Sequence, residues 1–240
     1  SYLFNTKKKF NADLSKWDVS NVKNMDGMFR GAKSFNQPLN NWNVSNVTFI
    51  DGMFKNALVF DQNISNWNVS NVSSMQQMFT DARSFNQDLS NWDVSSVTDM
   101  RETFKNAFLF NSELNGWDVS NVIRMGQMFN NADSFSRDIS DWDVSSVWDM
   151  ENMFYEADIF NGDISTWDVS SVTNMIRMFA ISNFNGDISN WNVSSVDKMD
   201  LMFAYNPMFN QNISTWDVSN VTRMPEMFKE ATSFNQDISN

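Results

Sequence analysis

The chemistry available to this chain lies in its side-chain oxygens. An acid or amide follows tryptophan at Asp18, Asn43, Asn68, Asp93, Asp118, Asp143, Asp168, Asn192 and Asp217. A second column stands four residues before each tryptophan position: Asp13, Pro38, Asn63, Asp88, Glu113, Asp138, Asp163, Asp187, Asn212 and Asp237. Together they hold 13 of the 29 acidic residues. If copies stack, neighbouring carboxylates about 5 Å apart repel by roughly 1 kcal/mol per pair even in water-like dielectric, so something must offset the charge. One answer is a cation-binding edge, for which Ca²⁺ fits a set of hard oxygen ligands. The competing answer is that each Asp or Asn caps the following turn by accepting backbone N–H groups. Free exchange of Asn for Asp favours the cap, so no cofactor is expected and Ca²⁺ is kept as the one candidate ion.

The serine two residues further on, Ser20 through Ser219, occurs in nine units of nine. Nine identical hydroxyls without a base read as turn caps rather than nucleophiles. The chain has no histidine and no cysteine, which removes Ser-His-Asp catalysis, thiol chemistry, disulfides and the usual zinc, haem and iron–sulfur ligand sets. Seventeen basic against 29 acidic residues leave a net charge of −12, the wrong sign for a nucleic-acid partner. No stretch approaches the roughly 18 apolar residues of a membrane span. A carboxylate-based hydrolase would need a singular acidic pair, and none stands out from the repeat; no enzyme is expected.

The element that must position these oxygens is a repeat. Tryptophans at 17, 42, 67, 92, 117, 142, 167, 191 and 216 are spaced by 25 residues, broken once by 24. The unit reads W-[DN]-V-S-[NS]-V-x-x-M-x-x-M-F-x-x-A-x-x-F-N-x-[DN]-[IL]-S-x, and 20 of 22 Phe, 16 of 17 Met and 9 of 10 Trp fall in its fixed columns. The expected domain is one array over residues 1–240, with nine tryptophan-led units after a half-unit at 1–16. Both ends break inside the repeat, the expectation for a piece of a longer array. Below, units 1 to 9 begin at the tryptophans in chain order.

The alternation Trp42, Asn43, Val44 predicts a short parallel strand. The run Val72, Met75, Met78, Phe79, Ala82, Phe85 predicts a two-turn helix. Thr48, Ser73, Thr98, Thr173, Asp197 or Thr222 would cap its start, Ser73 with Gln76 as a capping box, and Pro225 falls in a first turn. Gly31, Asn56, Asn106 and Asn131 would stop it in the left-handed region. The expected fold is therefore an α/β solenoid, leucine-rich-repeat-like, with one strand and one helix per unit.

The units, for example WDVSNVTRMPEMFKEATSFNQDIS from Trp216, resemble the roughly 25-residue repeats of mycoplasma-type surface lipoproteins. They are similar to the BspA-type leucine-rich-repeat family, also found in protists and large algal viruses. The resemblance implies a non-enzymatic surface scaffold, cell-surface or extracellular, that meets a protein or glycan, with no catalytic residues to carry over. The alternative is a structural component of a virion or cell-surface assembly, packed against neighbouring copies. Expected contact residues are the outward strand positions Asn41, Asn43, Asn66, Asn68, Asn91, Asp93, Asp118, Asp141, Asp143 and Asp168. Three aromatics at usually polar positions, Trp148, Tyr155 and Phe108, join them as candidate anchors.

Overall fold

The computed structural model describes residues 2–239; the outermost residues of the expected array, Ser1 and Asn240, lie outside the described residues. Successive units stack one on the next. Every hydrogen bond between units joins immediate neighbours, 22–28 residues apart for the side-chain bonds. The apolar columns form one continuous core, in which Met75, Met78, Phe79, Ala82 and Phe85 are wholly buried. At about 1.5–3 kcal/mol for each large side chain removed from water, these columns carry the stability of a unit.

The rings stack in two directions. Phe29 lies 4.0 Å from Phe35 within its unit and 5.6 Å from Phe54 of the next. In units 2 to 9 the indole N–H donates to the carbonyl of the Leu or Ile one unit back, as Trp117 Nε1 does to Leu89 at 3.0 Å. A tryptophan fits this core because that polar atom is satisfied. Trp17, the first of the column, is 44% exposed instead.

The expected helix and strand are both overturned. Among the described residues there is no α-helix and no extended strand, only eight isolated parallel bridges, from Asn24↔Phe49 to Lys198↔Arg223. These bridges fall seven residues beyond tryptophan, in the segment read as helix, whereas the tryptophan segment is a turn closed by Trp42 N–H donating to Leu39. The apolar spacing shows why. Leu39 and Trp42, Val44 and Val47, Ile50 and Met53, Phe54 and Ala57, and Ala57 and Phe60 are each three residues apart, and in every pair the second N–H donates to the first carbonyl. A step of three closes successive turns between two core residues; an α-helix needs steps averaging 3.6.

Between its two left-handed residues each unit becomes a ribbon. The N–H groups of Met25, Gly27, Phe29 and Gly31 donate to the carbonyls of Phe49, Asp51, Met53 and Lys55 in the next unit, at 2.7–2.9 Å. A two-turn helix would leave its first four N–H and last four C=O groups unpaired, nearly all it has. The ribbon pairs them with its neighbours, and so it wins. Gly31, Asn56, Asn106 and Asn131 are left-handed as expected, with φ of 70°, 60°, 56° and 55°. They end no helix, and a second left-handed column lies four residues earlier, at Gly27, Gly52, Gln77 and Glu102. The expected N-caps turn outward too: the Thr48 hydroxyl donates to the Lys23 carbonyl of the preceding unit rather than receiving a first-turn N–H.

Candidate functional site

The two acidic columns are turn caps. In all nine units the residue after tryptophan accepts the N–H of the serine two positions on, from Asp18 with Ser20 (3.0 Å) to Asp217 with Ser219 (3.0 Å). Asn43, Asn68, Asp93 and Asp118 also accept the serine hydroxyl, at 2.6–2.7 Å. The upstream column repeats the motif at eight positions, as in Ser140 N–H to Asp138 at 2.9 Å. Pro38 and Glu113 depart from it, and Glu113 pairs with Arg137 at 2.7 Å. The serine hydrogen bonds hold Asp18, Asp118, Asp168 and Asp217 below the usual aspartate range. Among the described residues no three carboxylates converge where a metal ion could sit.

The predicted contact residues are thus exposed and largely committed to local bonds. Asn66 donates to the Asn40 carbonyl and Asp141 accepts the Asn115 amide, both at 2.7 Å. Asn91 and Asp143 sit on the same exposed edge, and Asp143 caps Ser145. Asn41 accepts a long bond from Asn40. The asparagines after the second Phe form ladders of their own, each accepting the N–H of its successor one unit on, such as Asn86 from Asn111 at 2.8 Å.

The three aromatic exceptions separate. Trp148, 42% exposed, lies under the Arg124 guanidinium at 5.9 Å, and Phe108 under Arg83 at 5.2 Å. Each ring is met by an arginine of the preceding unit. Tyr155 instead forms a wall of a cleft of about 370 Å³, with Arg177, Ala180, Ile181, Leu201, Ala204, Tyr205 and Glu226 around it. Burial and the adjacent Glu156 push the Tyr155 phenol up.

The cleft exists because the template changes beside the 24-residue unit. The column before the second left-handed residue reads Arg30, Lys55, Thr80, Lys105, Asn130 and Tyr155, then Ala180 and Ala204. Two truncations in succession open a notch between longer neighbours. After Thr6 (φ 60°) in the half-unit, this left-handed column holds Gly, Asn, Asp or Glu except here, where it carries Ile181 (φ 51°) and Tyr205 (φ 57°). A β-branched residue with positive φ is an outlier, and strain of this kind gathers at functional sites. The Arg177 side chain forms no hydrogen bond or ion pair among the described residues, although its backbone N–H donates to the Asp200 carbonyl at 2.9 Å, whereas Glu226 pairs with Lys229 at 3.0 Å. A guanidinium without a side-chain partner, in a cleft lined by two tyrosines and by Ala180, Ile181, Leu201 and Ala204, suits a planar anionic or hydroxyl-rich group. Sequence reasoning found Tyr155 and missed the rest; the paired alanines were the available signal.

Below the cleft the missing residue is absorbed by polar atoms. Asn206, fully buried in a column that is alanine in every other unit except for Ser182 in unit 7, donates to the Phe184 carbonyl (2.9 Å) and accepts the N–H groups of Met208 and Phe209 (both 3.0 Å). Ser182 donates to the Phe179 carbonyl at 2.8 Å.

Capped turns, stacked aromatic columns and unit-to-unit ribbons define a repeat protein whose exposed columns are variable and whose inward ones are fixed. The chain belongs to the family described as "Mycoplasma protein of unknown function, DUF285", whose profile matches residues 1–92, 74–183 and 164–240. That agrees with the resemblance carried by the repeat itself. None of the curated proteins matches the chain. Among solved structures it is similar to a leucine rich cell surface protein from Faecalibacterium prausnitzii A2-165, at 15% identity and a TM-score of 0.34, over 90% of this chain and 69% of that one.

Proposed function

We propose that this protein is a non-enzymatic repeat scaffold displayed at a cell surface, where it binds a protein or glycan partner through the cleft around Arg177. The observation that carries the reading is the cleft itself. Arg177, the one cleft side chain with an unspent charge, stands where Ala180 and Ala204 replace long side chains and where Ile181 and Tyr205 tolerate a left-handed backbone. Surface display is supported by the resemblance of the repeat to mycoplasma-type surface lipoproteins. The non-enzymatic part is supported by the acidic columns, whose carboxylates are spent on serine caps, and by a composition without histidine or cysteine.

The test is binding of the labelled chain to cells and to arrays of extracellular proteins and glycans, repeated with Arg177→Gln and Tyr205→Ala. Both side chains are exposed, so the fold should survive. A loss of tenfold or more in both variants supports the cleft. Binding that both variants retain in full, or turnover of an arrayed substrate, overturns the proposal.

A further inference from the structure

A second irregularity lies on a different edge and repeats every two units. In the loop before the second Phe, the even-numbered units carry an exposed apolar side chain: Val59 (43% exposed), Leu109 (54%), Ile159 (54%) and Met208 (51%). Odd-numbered units place a small polar residue there instead: Ser34, Ser84, Ser134, Ser233 and, beside the shortened loop of unit 7, Asn183. Adjacent units are 6.0 and 6.1 Å apart along the neighbouring Phe60, Phe85, Phe110 column. The apolar side chains therefore stand about 12 Å apart, with a serine midway between the first two pairs and the Asn183 loop between Ile159 and Met208. Scattered exposed apolar residues need no explanation, but a regular row of them does.

We infer that this edge is the interface of an antiparallel two-fold dimer, in which the apolar side chains of one copy enter the serine gaps of the other. A row alternating large and small is complementary to itself when shifted by one unit, which a two-fold axis achieves by passing between two units. Charge selects the direction and the register. Four of the residues preceding members of the row are charged, basic at Lys33 and Arg83 and acidic at Asp133 and Asp158, while Leu58, Phe108, Ser182, Pro207 and Thr232 carry no charge. A parallel pair shifted by one unit would set Asp133 against Asp158 of the other copy, like charges face to face. An antiparallel pair with its axis between units 4 and 5 sets Arg83 against Asp158 twice. The same register brings Leu109 to Ser134, Ile159 to Ser84, Met208 to Ser34, and Val59 to the shortened loop at Asn183, so all four apolar side chains of each copy are covered. An axis between units 5 and 6 would instead set Asp133 against Asp158 twice. A contact one side chain wide is small, in the range of transient interfaces.

Sedimentation of the chain across micromolar to millimolar concentration should show a reversible monomer–dimer equilibrium. Leu109→Asp with Ile159→Asp should weaken it at least tenfold while the stack still unfolds cooperatively, because both side chains are 54% exposed. Asp158→Arg should weaken it, and Arg83→Asp in the same chain should restore it. The register is read by cysteine pairs, since the native chain has no cysteine to interfere. Ser34→Cys with Met208→Cys should oxidise to a covalent dimer, and Ser34→Cys with Ile159→Cys should not. A chain that stays monomeric throughout, a dimer indifferent to the Leu109 and Ile159 changes, or cross-linking only of the second cysteine pair overturns the inference. None of these outcomes bears on the cleft, which lies in different columns.

Discussion

Replacing Asn206 by alanine sets repeat statistics directly against geometry. Alanine fills this column at positions 32, 57, 82, 107, 132, 157 and 231, so restoring it would conventionally be expected to stabilise. The structure predicts the opposite. The amide is fully buried and makes three bonds of 3.0 Å or less, to the Phe184 carbonyl and from the Met208 and Phe209 N–H groups. Truncation would strand one acceptor and two donors of the backbone in a site with little room for water, at about 1–3 kcal/mol each. With partial relaxation the expected loss is about 3 kcal/mol. Because the unit stack can open locally, the assay pairs urea unfolding with amide hydrogen exchange, and the Met208 and Phe209 amides should lose protection first. The cause is tested by lengthening the 181–184 loop by one residue, the length of the other units. In that background Asn206→Ala should cost much less, so the two changes couple. An Asn206→Ala variant as stable as the parent would refute the claim that this amide absorbs the missing residue.

Ile181 sits at φ 51°, a conformation costing roughly 1–2 kcal/mol for most L-residues and least for Gly and Asn. Ile181→Asn should therefore raise stability by about 1 kcal/mol in thermal unfolding, and a loss would show that the isoleucine side chain contributes more than its backbone costs. The pH dependence follows from the caps. Serine hydrogen bonds depress the folded-state values of Asp18, Asp118, Asp168 and Asp217, so their stabilisation is present above the ordinary aspartate value of about 3.9 and is lost as pH falls through the folded values. Burial raises Asp51 and Asp149, so their contribution has the opposite sign, present at low pH and lost as pH rises through their folded values. Changing the cap aspartates to asparagine, which Asn43 and Asn68 show to be geometrically equivalent, should flatten the acid limb of a melting-temperature profile. An unchanged limb would mean the caps do not carry it.

The repeat, its core columns and the turn-capping role of Asp and Ser were legible because they depend on residue type at a fixed period. The helix was misread because Val72, Met75 and Met78 satisfy a loose three-or-four rule. Only the strict step of three, repeated from Leu39 to Phe60, distinguishes turns closed by i+3 bonds. The second left-handed column was invisible because Gln77, Glu102 and Arg177 carry no preference for it; hydrogen bonds to the adjoining unit impose that conformation, and no local propensity reports it. Tyr155 was found as an exception, but its cleft is formed by the absence of side chains at Ala180 and Ala204, and two alanines attract no notice in a chain read for what it carries.

The ribbon bonds all run one way: N–H groups face the following unit and carbonyls the preceding one, three or four times per unit, against at most two bonds in the reverse sense near each bridge, as from Thr48 and Phe49 to Lys23. The peptide dipoles therefore add along the stack. At about 3.5 D each, one to three uncancelled peptides contribute roughly 3–10 D per unit, with the positive pole toward the C-terminal units, the reverse of an α-helix. An array of this kind is an electret whose moment grows with every unit added, so gaining or losing repeats changes its orientation in the field of a charged surface as well as its reach.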